Sequence, residues 1–303
     1  MPREDIAFKN ADQITLRGWL YKPLTSISDP LPCLVMAHGF SGVKELGLPG
    51  FAEYFTAHLP IACLIYDHRG FGESDNLPTQ PRQEIVPAQQ VNDYSDAVTY
   101  LQTRSDIDSE RIAIWGSSLS GGHVLNVAAV DRRVKAAISQ VPLVDGWDNI
   151  RRLLRPDFIP AVNELFKKDR LGVFKGEVPA VLPVVSEDPG QQSALPTVKS
   201  PVAFTSLGPH ANWKNFVTLK SLEAVRGYIP GSHIQDISPT PLLMVVAEND
   251  DVTPTDLALK AYEKALEPKS LHIFPGGHFD LYTLQPNFKV QADFLRRHLC
   301  LSG

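Results

Sequence analysis

Cysteine is scarce: three residues, Cys33, Cys63 and Cys300, in a chain of 303. Three cannot all pair, and Cys33 and Cys63 lie inside apolar runs that read as buried strands. They are therefore expected as small core residues in a reducing compartment, not as a disulfide framework. Neither sits near a Cys-x-x-Cys spacing, so a structural zinc site is not expected. The terminal Cys-Leu-Ser-Gly has the outline of a prenylation box, but its Ser and Gly fit it poorly. Positive charge is also short: 29 Lys and Arg against 34 Asp and Glu leave a net charge of -5. That balance gives no electrostatic case for nucleic acid or an anionic membrane as partner. No apolar run approaches the roughly 20 residues that span a bilayer. The opening MPREDIAFKN lacks the apolar core of a secretory signal. A cytoplasmic protein is the default expectation.

What is present is an alternation of two patterns. Residues 31–38, 61–68, 111–116, 134–141, 241–248 and 270–276 are continuous apolar runs, as strands covered on both faces read. Ile6 to Phe8 and the alternating Ile14, Leu16, Gly18 and Leu20 predict a hairpin ahead of them. Helical spacing recurs over 49–59, 86–103, 253–266 and 287–299, the third opening with Thr253 as cap and Pro254 at the first helical position. Strands alternating with helices over this length predict a doubly wound α/β fold with a mostly parallel sheet. The alternation breaks between 143 and 235, where Pro156, Pro160, Pro179, Pro183, Pro189, Pro196, Pro201 and Pro209 are expected to limit helices to short pieces. The expected organisation is a core of residues 1–142 and 236–303, interrupted by a helical lid at 143–235.

The chemistry concentrates where apolar runs end. Ile112–Trp115 runs into Gly116-Ser117-Ser118-Leu119-Ser120, the context of a nucleophile elbow, G-x-S-x-G, at a sharp strand-to-helix turn. Counting from Gly116 makes Ser118 the nucleophile. A second frame, Ser118-x-Ser120-x-Gly122, makes it Ser120, half a turn into the helix. A serine hydroxyl needs a base to take its proton, and GGHFDLY places His278 in a loop after the last strand. The acid belongs between them in chain order. Asp250 and Asp251 follow the strand at 241–248, and Asp250 is the expected partner, with Asp251 read as a solvated, helix-capping carboxylate. The carboxylate would hold the imidazole tautomer. After the strand at 31–38, HGFSG offers the Phe40 N–H, which with the Leu119 N–H forms a candidate oxyanion hole; such donors are commonly worth about 3 kcal/mol each.

HGFSG, YDHRGFGES, WGSSLSGG, END and GGHF together resemble the α/β-hydrolase fold over nearly the whole chain. PLVDG at 142–146 and NWKNFVTLKSLEAV at 212–225 are similar to fungal and bacterial hydrolases related to the polyketide transferase of fumagillin biosynthesis. More distantly, they resemble the Xaa-Pro dipeptidyl-peptidase/cocaine-esterase clan. The resemblance implies a serine hydrolase or acyltransferase acting on esters, thioesters or lactones. A polyketide acyl group is its expected cargo, and a structural role is implied for Asp67, Arg69 and Gly70.

Other residues admit two readings. His123 is expected as a packed helix residue, and His38 as a hydrogen-bonding support of the oxyanion loop. Asp145 and Trp147 either line the substrate pocket or form a plain loop turn. Trp147, Leu153, Leu154, Phe158, Phe166, Phe174 and Phe204 either line an acyl cavity or bury the lid. RRLLR at 151–155 reads as a solvated helix face, with contact to an acyl carrier protein as its alternative. No metal or organic cofactor is implied, because nucleophile and base are both side chains. Two rivals share the residues: a lyase or cyclase using His278 as base without acylation, and a slow-turnover binding protein.

Overall fold

The computed structural model describes residues 3–24, 30–188, 190–208 and 211–299. The terminal Cys-Leu-Ser-Gly, Pro189 and Pro209 lie outside them. Strands β1 (Arg3–Lys9) and β2 (Thr15–Tyr21) form the expected hairpin. Then β3 (Leu31–Ala37), α1 (Leu48–His58), β4 (Ala62–Tyr66), α2 (Pro87–Gln102), β5 (Ile107–Ser117), α3 (Leu119–Val130) and β6 (Val134–Gln140) alternate. After the 143–235 segment come β9 (Leu242–Ala247), α8 (Thr255–Lys264), β10 (Lys269–Phe274) and α9 (Gln285–His298). The sheet order is β1-β2-β4-β3-β5-β6-β9-β10. Its pairs are antiparallel as far as β2–β4 and parallel from β4–β3 onward.

Period-two alternation divides the sheet between two cores. Val35, Leu64, Ile112 and Ile114 pack under α2, α3 and α8. Leu34, Met36, Ile65, Ala113 and Trp115 pack under α1 and α9. Cys33 and Cys63 are buried free thiols, one in each core. The last strand departs from the expected pattern. β10 closes the edge of the sheet, so His272 and Ile273 are exposed rather than covered on both faces. Among the described residues no helix is long and apolar enough to cross a membrane.

Residues 143–235 hold α4 (Gly146–Leu153), α5 (Ile159–Phe174), β7 (Val181–Leu182), α6 (Ser200–Ser206), β8 (Val217–Thr218) and α7 (Leu219–Arg226). Helix α5 runs 16 residues, longer than the proline content predicts. Pro160 sits in its first turn, where a missing N–H breaks no helical bond. A third apolar cluster joins Val184, Leu195, Phe204 and Val217 of this segment to Phe40, Leu119 and Val252. It thus covers the edge of the sheet where β3, β5 and β9 end, the edge at which α/β sheets bind ligands.

Candidate active site

The turn after β5 sets the geometry. Ser118 follows directly on the strand and is the N-cap of α3, with φ 60° and ψ -121°. A non-glycine residue there is strained by about 1–3 kcal/mol and is held only where its surroundings over-determine it. Here the Ser118 N–H donates to Gln140 O at 2.9 Å, and its carbonyl accepts from Leu143 N at 2.9 Å and Gly122 N at 3.2 Å. The crowding also dictates small neighbours. A Cβ on Gly116 would stand 2.1 Å from the Ser120 carbonyl oxygen, and one on Gly39 would stand 2.6 Å from Ser118 Cβ.

The three serines have different surroundings. Ser117 Oγ accepts from Gln140 Nε2 at 3.2 Å, and Gln140 Oε1 in turn accepts from Asn287 and Gln291 at 2.8 Å each, beneath the sheet. Ser120 Oγ donates to the His38 carbonyl and pairs with His68 Nε2 at 2.9 Å, fully buried. Ser118 lines a cavity, of about 10 Å³, with His38, Gly39, Phe40, Leu195, Phe204, His278, Phe279 and Tyr282.

His278 enters that cavity from the loop after β10. Its Nδ1 lies 2.8 Å from Asp250 Oδ2 and 3.1 Å from Oδ1. Asp250, beyond the end of β9, also accepts backbone N–H bonds from Val252 at 2.9 Å and Thr253 at 2.7 Å. Charge-assisted bonds of this kind fix a carboxylate in place. The imidazole and the carboxylate are both buried, whereas Asp251 is exposed. Phe40 and Leu119 flank the serine, and neither N–H donates to another group among the described residues.

Thr253 corrects one sequence expectation. It does not cap α8: Pro254 holds the N-cap position, and no side chain caps it. Instead Thr253 Oγ1 lies 2.9 Å from the Val141 carbonyl, 3.1 Å from Asp250 Oδ2 and 3.1 Å from His278 Nδ1. A Thr before a Pro reads as a helix start in sequence, so this third contact of the pair has no local signature. Val141 itself carries φ 36°, rare for a β-branched residue.

His38 also differs from its expected role. Among the described residues neither ring nitrogen has a hydrogen-bond partner. The ring is held by packing, stacked on Tyr282 at 5.5 Å between centroids. Burial pushes its pKa down to about 4, and the neighbouring His278 adds to the shift, so the ring is neutral at pH 7. His68 behaves likewise, pushed down to about 3 by burial. His123 is a core residue, bonded to Gln90 Oε1 at 3.0 Å and Tyr228 Oη at 3.1 Å.

Two other expected residues lie elsewhere. Asp145 caps α4 by accepting from Asp148 N at 2.9 Å. Trp147 lies against the Arg151 and Arg226 guanidinium groups. Neither lines the cavity at Ser118. Of the apolar residues expected there, Phe204 reaches that cavity, and Leu195 joins it. Trp147, Leu153, Leu154 and Phe166 line a second one. Phe158 and Phe174 are exposed. Behind the site, Asp67 accepts from buried Lys44 Nζ at 2.8 Å, and Arg69 pairs with Asp93 at 2.6 Å. Asp67 and Arg69 thus brace the turn after β4.

The chain matches the α/β-hydrolase fold family over residues 32–283. It is 35% identical to a polyketide transferase, GrgF, of Penicillium sp., covering 99% of this chain and 98% of that one. It is 32% identical to a thiohydrolase of Eupenicillium brefeldianum, covering 92% and 88%. It is 33% identical to the quorum-quenching protein AidA of Acinetobacter baumannii, covering 97% and 94%. The crystal structure of GrgF superposes with a TM-score of 0.85 at 34% identity, over 99% of this chain and all of that one. From matches spanning nearly its whole length, the chain belongs to the α/β-hydrolase fold family, as an enzyme that hydrolyses or transfers acyl groups.

Proposed function

We propose that the enzyme cleaves a hydrophobic ester or thioester through an acyl-Ser118 intermediate, with a polyketide acyl group as its substrate class. One observation carries the reading: Ser118, on its strained turn, and His278, paired with Asp250, border the same buried cavity. His278 Nδ1–H is committed to Asp250, which leaves Nε2 as the basic nitrogen. In this mechanism Nε2 takes the Ser118 hydroxyl proton as Oγ bonds to the acyl carbon. The oxyanion forms between the Phe40 and Leu119 amides. The C–S or C–O bond then breaks, and Nε2–H delivers its proton to the leaving thiol or alcohol. Water repeats the sequence against the acyl-enzyme, releasing the carboxylic acid and restoring Ser118. Residues 143–235 act as a lid over this centre, in a reducing cytoplasmic setting suited to the buried free thiols Cys33 and Cys63.

Transfer to an alcohol or amine uses the same residues, and the relatives named transferases favour it as the second reading. Either outcome takes a small-molecule ester or thioester as donor. For a carrier-bound donor the basic face of Arg151, Arg152 and Arg155 is the contact, although each arginine already pairs with an aspartate. The reading is tested by Ser118→Ala, which should lower kcat by about 10⁴-fold or more while leaving the circular dichroism spectrum unchanged. Full turnover in that variant contradicts acyl-serine chemistry.

A further inference from the structure

The cavity at Ser118, about 10 Å³, is far too small for an acyl chain; about 10–15 Å³ is needed for one water molecule. Most of its walls are fixed. His38, Gly39 and Phe40 belong to the turn after β3, and His278, Phe279 and Tyr282 to the loop after β10. Only Leu195 and Phe204 come from the inserted segment. The backbone at Leu195 is pinned, since Ala194 N donates to Pro183 O at 2.9 Å and Leu195 N to Val184 O at 2.8 Å. Rotation of the Leu195 side chain would enlarge the site without moving that backbone.

Ala194, next in chain, lines a second cavity of about 40 Å³ between α4, α5 and α7. Its remaining wall is almost wholly apolar, with Ile150, Leu153, Val162 and Leu222 among its residues. On the outer side it shares Trp147, Phe166 and Arg226 with an open groove of about 710 Å³. Arg226 stands at this junction, its guanidinium carbon 4.4 Å from the Trp147 ring centroid and 4.9 Å from that of Phe166. It donates to Asn163 Oδ1 at 2.6 Å. The nearby carboxylate, Glu223, is taken by Arg170 at 2.9 Å. Among the described residues Arg226 has no ion-pair partner.

We propose that the acyl chain on Ser118 runs past Leu195 and through the small cavity between α4, α5 and α7 to the junction with the open groove. There Arg226 receives a carboxylate at the chain's far end. The inference rests on the acyl-Ser118 reading and adds substrate chemistry to it: an apolar chain with a distal anion. Arg226 is planar and bidentate toward carboxylates, and already stacked on two rings, so little side-chain freedom is lost on binding.

The test measures kcat/KM of the full chain for p-nitrophenyl acetate, p-nitrophenyl octanoate and the mono-p-nitrophenyl ester of octanedioate. The octanedioate ester should exceed octanoate in the wild type, and Arg226→Met should lower that ratio about tenfold or more. Arg226→Lys should restore part of it, because a point charge remains. Val162→Trp, or the milder Leu153→Phe if the first does not fold, should lower the octanoate-to-acetate ratio about tenfold. An octanedioate-to-octanoate ratio unmoved by Arg226→Met overturns the role of Arg226. An octanoate-to-acetate ratio unmoved by the cavity-filling variants overturns the route. In either case acyl-Ser118 still forms, whereas failure of the underlying reading leaves no acyl adduct with any ester.

Discussion

Ser118 works through its backbone as much as through its hydroxyl. The positive φ makes the sharp turn from β5 into α3, and among the described residues the Leu119 N–H beside it has no partner. Anything that flattens the turn should cost rate. Gly39→Ala would bring its Cβ within 2.6 Å of Ser118 Cβ, and a shift of the nucleophile by a fraction of an ångström is expected to lower kcat by about 10²-fold. Steady-state kinetics on that variant check it, and wild-type kcat would contradict the packing argument. Thr253→Val keeps the side-chain shape but removes the hydroxyl shared by Val141 O, Asp250 and His278. A loss of about 1–3 kcal/mol in stability should follow, because a buried acceptor loses its partner. A fall in kcat of about tenfold should accompany it as the pair loosens. Denaturant unfolding and kinetics read the two effects separately. At this scale the sequence shows a great deal. Ser118, Asp250 and His278 each follow an apolar run that reads as a parallel strand of one sheet, so their side chains emerge at the same edge. Thr253 was illegible because Thr-Pro signals a helix start, and Asp145 and Trp147 because nothing local tells which side of a helix meets the site.

Elements hold the site through buried charge. Helix α2 is tied to the turn after β4 by Arg69, whose guanidinium bonds Asp93 at 2.6 and 2.7 Å; Asp93 also accepts from Asn10 at 2.7 Å. Arg69→Met should destabilise the protein by about 3–5 kcal/mol, because it leaves the Asp93 carboxylate buried without its cation. Thermal unfolding of that variant checks the value, and an unchanged midpoint would show the pair to be dispensable. The strand runs were readable because they are continuously apolar, and the start of α3 because Gly116-Ser117-Ser118 ends one of them abruptly. The edge position of β10 was not, since SLHIFPG is as apolar as a central strand and strand order is a tertiary property. Nor was the length of α5, where Pro160 marks the helix start instead of a break.

The whole molecule carries a pH signature that no single motif announces. His38 and His68 are held neutral by burial, with pKa values pushed down to about 4 and about 3. His123 is also pushed well below its ordinary value by burial. In the unfolded chain these groups protonate near pH 6.5, so between about 6.5 and 4 the unfolded state binds more protons. Stability is therefore full above pH 6.5 and declines as pH falls through that window, by about 1.4 kcal/mol per pH unit for each histidine. Replacing His68 with Gln should flatten the slope of unfolding free energy against pH between 6 and 4; an unchanged slope would contradict neutral burial. His38 lines the Ser118 cavity and His68 bonds Ser120 Oγ, so the acidic loss of stability and of activity should run together.

The account turns on acylation of Ser118, and intact-protein mass spectrometry tests it most directly. After brief mixing with a panel of acyl thioesters and aryl esters, the protein should gain the mass of the acyl group, and peptide mapping should place it on Ser118. Decay of the adduct in buffer marks hydrolysis, and persistence until an alcohol or amine is added marks transfer. Turnover of those substrates with no adduct under rapid quench, undiminished by Ser118→Ala, would contradict the central claim.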